Sequence, residues 1–338
     1  MKKQKQTIGI KLGGGFNLHP DFKEQLRTVL SFFSKADIKL IMVVSAFGGV
    51  TNMLEEILVK IKNATTGTLD ETRQQIECMV VELIELHLHS DLYKAVIESD
   101  SKEKEDFMSG FHELCEAFNH TVIETLDDGI SDEHAYHNIV KYGELFSTHV
   151  FYYFVKTVME GDTFCKICNG VTKVEPAFIR ITKGEIDLKD TKASIKEFFS
   201  YFVNNENLKV LVTPGFIGFN ATIKRQVTLG RESSDLTLFI LCYFLCIPMY
   251  LYKVLTKDVT PGNVLEGEHT YESAEQFLQM KNSKMISPRI FEFMNLVERS
   301  EKRKDSQLLK DIVLALPDDK ELNLDDRIEI TKRLIAKR

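Results

Sequence analysis

The chain has 338 residues, 43% hydrophobic and 28% charged, enough to bury the core of one large α/β domain or two smaller ones. Its formal net charge of −7 gives nonspecific nucleic-acid binding no electrostatic support, so an anionic ligand must be drawn by local basic groups. Six cysteines lie scattered in mostly apolar runs, and only Cys165 and Cys168 form a C-x-x-C, so they read as reduced structural thiols in a cytoplasmic protein.

Met1 to Gln6 is basic, but the apolar stretch behind it is too short for a signal peptide. Thr7 to Leu12 reads as a strand ending in Gly13, Gly14 and Gly15. Asp21 to Phe33 reads as a helix with Phe22, Leu26, Leu30 and Phe33 on one face. Lys39 to Ser45 is a second apolar strand ending in the small-residue turn Ala46 to Gly49, and a helix is expected to start near Thr51 and Asn52, both N-cap formers. Strand, glycine turn and helix, twice over, is the grammar of a parallel sheet covered on both faces.

Thr72 to Val155 is mostly helical. The histidine pairs His87/His89 and His134/His137 have no carboxylate forced on them by spacing, and are expected to be solvated or capping groups rather than ligands. Strands return from Thr163, with Val210 to Thr213 and Met249 to Leu255 the clearest. The uncharged run Leu236 to Tyr252 is split by Pro248 and bounded by Asp235 and Lys253, so it reads as a buried helix to about Cys246 followed by a buried strand, not a membrane span. Arg299 to Arg338 is highly charged and reads as one or two amphipathic surface helices around Pro317-Asp318-Asp319, with Ile312 to Leu316 either a last strand or part of a helix.

The most informative stretch is Thr213 to Asp235: T-P-G-F-I-G, a short polar run, then T-L-G-R-E-S-S-D between a strand and an apolar helix. Backbone N–H groups at a helix start and the planar fork of Arg231 suit a carboxylate or phosphate, while the alternative is a tight polar loop with Asp235 as N-cap. Turns at Lys11 to Gly15, Ser45 to Asn52, Thr213 to Gly218 and Thr228 to Asp235 all stand at expected strand ends. Ligands of an open parallel sheet bind outside the carboxyl ends of its strands, so these turns are expected to meet in one crevice. Lys11 beside a glycine turn suits phosphate oxygens, although neither the P-loop nor the dinucleotide fingerprint occurs. Together the turns favour nucleotide-dependent phosphoryl transfer.

These blocks resemble the aspartokinases of the amino acid kinase superfamily. Lys11 to Phe16 (K-L-G-G-G-F) is similar to K-F-G-G-T-S, and Val43 to Leu54 to V-V-S-A-x-x-G-x-T-N-x-L, with Ser45 and Thr51 in register. Tyr142 to Thr148 (Y-G-E-L-F-S-T) resembles H-G-E-x-x-S, Thr213 to Gly218 resembles T-Q-G-F-I-G, and Thr228 to Asp235 resembles T-L-G-R-G-G-S-D. Lys284 to Arg289 (K-M-I-S-P-R) resembles K-V-L-H-P-R. The resemblance implies a three-layer αβα sandwich around a central, mostly parallel sheet. It places the catalytic domain in residues 1–290, with an amino-acid lobe to about 205 and a nucleotide lobe from about 206, then a charged tail over 291–338.

The implied reaction is phosphorylation of the L-aspartate β-carboxylate by ATP with Mg²⁺, the first step toward lysine, threonine and methionine. Ser45, Thr51, Glu144, Phe216, Arg231 and Ser234 match residues that hold the amino acid. Lys11 and Lys284 match lysines at the transferring phosphates, Gly13, Gly14 and Gly15 the phosphate-side turn, and Asp235 the carboxylate that organises Lys11. No protein ligand is assigned to magnesium, which is expected to ride on the phosphates. Where the family has W-T-D-V-x-G-x-Y-x-x-D-P-R, residues 252–261 read Y-K-V-L-T-K-D-V-T-P, with Asp258 standing either for the T-D-V or for the D-P-R aspartate. Gly15 and Phe16 replace Thr-Ser, and Glu232 and Ser233 replace Gly-Gly. With no β-α-β-β-α-β pattern after Arg289, neither ACT domains nor an ACT-mediated dimer is expected, which leaves open a homodimer formed otherwise. The alternatives are a kinase for another amino-acid carboxylate, or a catalytically weak homologue that binds an amino acid or nucleotide.

Overall fold

The computed structural model describes residues 7–12, 23–24, 26–27, 30–31, 38–100, 102–129, 133–160, 171–173, 178–205, 208–247, 249–252, 269–270, 287, 289–301 and 312–315. Gly13, Gly14, Gly15, Cys165, Cys168, Asp258 and Lys284, with most of the charged C-terminal stretch, lie outside them.

Three strands carry the architecture: β1 (Thr7–Leu12), β2 (Lys39–Val44) and β6 (Val210–Pro214), each buried along its full length. Burial on both faces is what a near-continuous apolar strand requires, and it makes these the interior of a parallel sheet. The sheet has seven strands in the order β10-β11-β9-β1-β2-β6-β3, where β3 is Val171–Lys173, β9 Met249–Tyr252, β10 His269–Thr270 and β11 Ile312–Ala315. Every neighbouring pair is parallel except β10 with β11. Ile312 to Ala315 thus completes the sheet beside β9, deciding the strand-or-helix question for that run.

The two-residue alternation of the strands divides the core. Ile8, Ile10, Leu12, Leu40, Met42, Val44, Val210 and Val212 pack beneath α1 (Val50–Asn63), α2 (Leu69–Leu88), α3 (Asp91–Ile97), α4 (Lys104–Asp127), α5 (Glu133–Val140) and α6 (Tyr142–Glu160). Ile41, Val43 and Leu211 face α7 (Leu188–Asn204), α8 (Ser234–Leu245) and α9 (Arg289–Glu301). Helices on both faces make the three-layer αβα sandwich expected of the sequence. Helix α8 is buried almost all round, as its uncharged run from Leu236 demands, and packs on β1, β2 and β9. Among the described residues no helix is long and apolar enough to cross a membrane. Residues 23–24, 26–27 and 30–31 are helical, and Leu26 and Leu30 are buried.

Lys39 is nearly inaccessible on β2, and its Nζ donates to the carbonyls of Phe202 (2.7 Å) and Asn205 (2.8 Å) at the end of α7. A cation there meets the negative end of the helix dipole and satisfies carbonyls that lack an intrahelical donor.

A smaller four-stranded sheet, in the order β5-β4-β7-β8, stands beside the main one; β4 is Arg180–Thr182, β5 Glu185–Ile186, β7 Ile217–Asn220 and β8 Arg225–Thr228. Its β7–β8 hairpin corrects one expectation. Thr228 to Asp235 does not leave a strand of the parallel sheet; it leaves the returning arm of an antiparallel hairpin. Two local readings also change. Helix α1 follows Gly49 in a left-handed conformation (φ 86°), with no side-chain cap, so Thr51 and Asn52 are first-turn residues and not the N-cap. Nor are all the histidines solvated or capping: His89 caps α2, but His87 is fully buried and stacked on Phe47, with centroids 4.9 Å apart. Burial lowers the His87 pKa to about 4 and keeps it neutral.

Candidate active site

The carboxyl ends of β1, β2 and β6 lie level, with Lys11 beside Val43 and Val43 beside Thr213. The turns leaving β2 and β6 are each tied to the neighbouring strand end: Ser45 N–H donates to Leu12 O (3.3 Å), and Gly215 N–H to Val44 O (2.8 Å). Lys11, next to last in β1, projects to Asp235 at the start of α8, with Nζ to Oδ1 at 2.8 Å and both side chains buried. This pairing replaces the N-cap alternative for Asp235, because α8 is preceded by Ser233, and Asp235 faces a cation from the neighbouring strand.

The T-P-G-F-I-G turn is tight. Ile217 N–H donates back to Gly215 O (2.7 Å), a γ-turn that forces Phe216 to φ 66°. Thr237 Oγ1 holds the strained residue by accepting Phe216 N–H (3.1 Å), and Leu229 N–H adds a bond to Phe216 O (2.6 Å). Gly215 is glycine for reasons of space: a Cβ there would lie 2.8 Å from Cα of Ser234. That contact joins the turn to the serine of the R-E-S-S-D segment, whose Oγ donates to Ser45 Oγ (3.3 Å).

Helix α6 brings the remaining carboxylate. Glu144 Oε1 accepts the N–H of Ala46 (3.4 Å), and Ser147, one turn on, accepts that of Phe47 (3.1 Å), so Y-G-E-L-F-S seats on the turn after β2. Gly143 permits the approach, since a Cβ there would press on Ala46, Leu54 and Val50 at 3.0–3.3 Å. Glu144 is wholly buried, and its Oε2 has no hydrogen-bond partner among the described residues. Desolvation pushes its pKa up to about 8 against weaker downward pulls from the Ala46 N–H and Lys11. An acceptor aimed at no donor in a buried cleft suits a ligand that supplies one.

Arg231 stands at the outer rim, half exposed; its Nη2 donates to Asn52 Oδ1, and its Nη1 lies 3.3 Å from Glu55 Oε2. Thr51 precedes Asn52 in the same first turn. Glu232, where the resembling family has glycine, sits at φ 62°, a left-handed conformation that a side chain disfavours. Arg289 reaches back across the loop to donate to Leu229 O, under a Gly230 (φ 88°) whose Cβ would strike the guanidinium. The end of K-M-I-S-P-R is thereby docked on T-L-G-R.

Lys11, Ser45, Ser234 and Asp235 are therefore joined by direct contacts, with Phe216 held on the same helix and Glu144 on the same turn. Thr51 and Arg231 stand at the rim beside Asn52. Sequence reasoning missed Asn52, Glu55, Thr237, Ser147 and Arg289. Ser147 and Arg289 stood inside quoted blocks without a role, and Asn52 inside another was read only as an N-cap former; Asn52 and Glu55 share one α1 face with the spacing i, i+3, a signal that means nothing until Arg231 is placed opposite. His137 was set aside as solvated or capping, yet its Nδ1 accepts the Thr228 N–H (3.1 Å) and fixes the start of the loop.

No protein-family model matches the chain, and no curated protein sequence matches it either. Solved structures do. E. coli aspartokinase III in complex with aspartate and ADP (R-state) is similar over 94% of this chain and 63% of its own, with 17% identity and a TM-score of 0.61. This chain shares the aspartokinase fold. The same E. coli enzyme in complex with lysine and aspartate (T-state) covers 91% of the chain at 17% identity and TM-score 0.57. Clostridium acetobutylicum aspartate kinase covers 94% at 16% and 0.52. The chain spans less than two thirds of the length of these aspartokinases.

Proposed function

We propose that the chain is an aspartate kinase-type phosphotransferase, moving the γ-phosphoryl group of ATP onto the β-carboxylate of L-aspartate. The observation that carries this reading is the buried Glu144 carboxylate, with one oxygen lacking a partner among the described residues, seated on the turn after β2 while the buried Lys11–Asp235 pair stands at the end of the adjacent β1. An α-ammonium supplies what Glu144 lacks: donors, and a positive charge that pulls its raised pKa down. Arg231 is the fork for the substrate's α-carboxylate, with Thr51, Ser45, Ser234 and Phe216 walling the acid between the two anchors.

Phosphoryl transfer asks the protein for in-line placement and charge neutralisation rather than covalent help. Lys11 would lie against the transferring phosphate, held by Asp235 so that its ammonium is fixed before substrate arrives. Lys284 and the turn Gly13, Gly14 and Gly15 would complete the phosphate cradle, with Asp258 on the nucleotide side. Magnesium bound with the nucleotide would offset phosphate charge. On this reading residues to about 205 form the amino-acid lobe, 206–290 the nucleotide lobe, and 291–338 an appended tail. The second reading, another amino-acid carboxylate or a weakly active homologue, is favoured by one observation: the terminal nitrogens of Arg231 already face Asn52 and Glu55.

The test is acyl phosphate trapping. Purified protein, Mg-ATP, hydroxylamine and a panel of acidic amino acids should give aspartyl hydroxamate, and Lys11→Ala or Asp235→Ala should cut kcat by about 10²–10³, the usual cost of losing a preorganised charge-stabilising group. Product from another acid only would transfer the reading to that acid. No product from any acid, with aspartate still raising the melting temperature, would leave a binding protein.

A further inference from the structure

Helix α1 presents Asn52 and Glu55 on one face, one turn apart, toward the loop that carries Arg231. Glu55 is no casual surface acid. One of its oxygens accepts the Tyr136 O–H at 3.1 Å, and the other lies 3.3 Å from Arg231 Nη1. The Glu55 side chain is mostly shielded, 27% exposed against 56% for Arg231, so the carboxylate is the fixed member of the pair and the guanidinium the adjustable one. Tyr136 comes from α5, and burial together with the nearby Glu55 pushes its pKa up to about 12, so it remains a donor throughout the physiological range. Asn52 Oδ1 accepts from Nη2. The guanidinium thus meets a carboxylate on one terminal nitrogen and an amide oxygen on the other, as it would on gripping a substrate carboxylate.

We propose that Glu55, anchored by Tyr136, is an affinity- and specificity-setting residue that occupies Arg231 as an internal stand-in for the carboxylate of an amino-acid substrate. The inference rests on the substrate reading above. Binding then becomes an exchange: the incoming carboxylate displaces Glu55 from the guanidinium, and Glu55 stays on Tyr136 as a nearby negative charge. Two consequences follow. The acid binds more weakly than the unopposed fork would allow, and a ligand carrying extra negative charge near Arg231 is disfavoured further by Glu55 and the adjacent Glu232. Glu55 touches no reacting atom, so its effect falls on KM.

The experiment compares wild type with Glu55→Gln, whose amide oxygen can still accept the Tyr136 O–H, and with Tyr136→Phe as the milder variant. Hydroxamate kinetics over a range of aspartate concentrations should show KM lowered about 2- to 5-fold in E55Q, the worth of one half-exposed ion pair, with kcat unchanged and Y136F intermediate. An unchanged or raised KM in E55Q, with wild type turning over aspartate, overturns the exchange and leaves the kinase reading standing. If wild type makes no product, melting temperatures with aspartate decide instead. Greater stabilisation of E55Q than of wild type supports the exchange while the kinase reading fails. Equal stabilisation, or none in either protein, overturns it.

Discussion

Replacing Glu144 with glutamine probes the charge in the cleft while keeping its shape. Burial raises the Glu144 pKa from 4.5 to about 8, so the folded chain holds this proton more tightly than the unfolded chain does. Between those two values the native state carries the extra proton; stability therefore falls as pH rises through that window and levels off above it. That distance on the pH scale, at about 1.36 kcal/mol per pH unit, sets a ceiling of about 5 kcal/mol. Water admitted beside the ionised group lowers the realised loss to about 2 kcal/mol. Glutamine stays neutral throughout, and its amide oxygen still accepts the Ala46 N–H. The assay is urea unfolding of wild type and Glu144→Gln from about pH 4 to about pH 9. The two proteins should match in stability at the acid end, and the variant should lead by about 2 kcal/mol at the alkaline end. Curves that run parallel across the whole range would refute the argument, because they would mean that Glu144 ionises in the fold as readily as in the open chain.

Glu232→Gly should add about 1 kcal/mol of stability in thermal unfolding by removing a side chain from φ 62°, and should lower KM for aspartate by taking a negative charge from beside Arg231. Gly215→Ala should cost about 2 kcal/mol in denaturant unfolding, since its Cβ meets rigid backbone at Ser234, and kcat should fall with it as Ser234 and Asp235 are pushed from β6. Lys39→Met removes the ammonium that the Phe202 carbonyl accepts and one of the two donors on the Asn205 carbonyl; a loss of about 1–3 kcal/mol is expected, with KM for aspartate untouched.

The sheet was legible because its strands are simple. Thr7 to Leu12, Lys39 to Val44 and Val210 to Thr213 are mostly apolar runs followed by small-residue turns, and burial on both faces is the environment that suits such runs. What periodicity could not supply was pairing. Ile312 to Ala315 is equally apolar as strand or helix, and only its place against β9 decides between them. The α1 cap misled for a related reason: Thr51 and Asn52 have cap-forming side chains, but the chain turns one step earlier, where Gly49 adopts the left-handed conformation at no steric cost.

The site was legible in its residues and not in its wiring. Six short blocks named Lys11, Glu144, Arg231 and Asp235, yet none could show that the segment holding Arg231 and Asp235 arrives on a hairpin from the smaller sheet. That origin matters. A turn at the end of β2 or β6 is fixed by strands buried on both sides, whereas Thr228 to Asp235 is held by contacts made along its length: His137 on Thr228, Arg289 on Leu229 O, Asn52 and Glu55 on Arg231, and Lys11 on Asp235. The contacts on Arg231 are polar and partly exposed, the kind that exchanges for a ligand more readily than the buried Lys11–Asp235 pair does. The loop is therefore anchored at its helical end, by Lys11–Asp235 in the buried cleft, and held adjustably at its rim, by Arg231. On the proposed reading, an amino acid entering from the rim would meet the adjustable anchor first and the fixed one last. That order would suit the proposed kinase, which has to admit an amino acid while Lys11 keeps its place on Asp235.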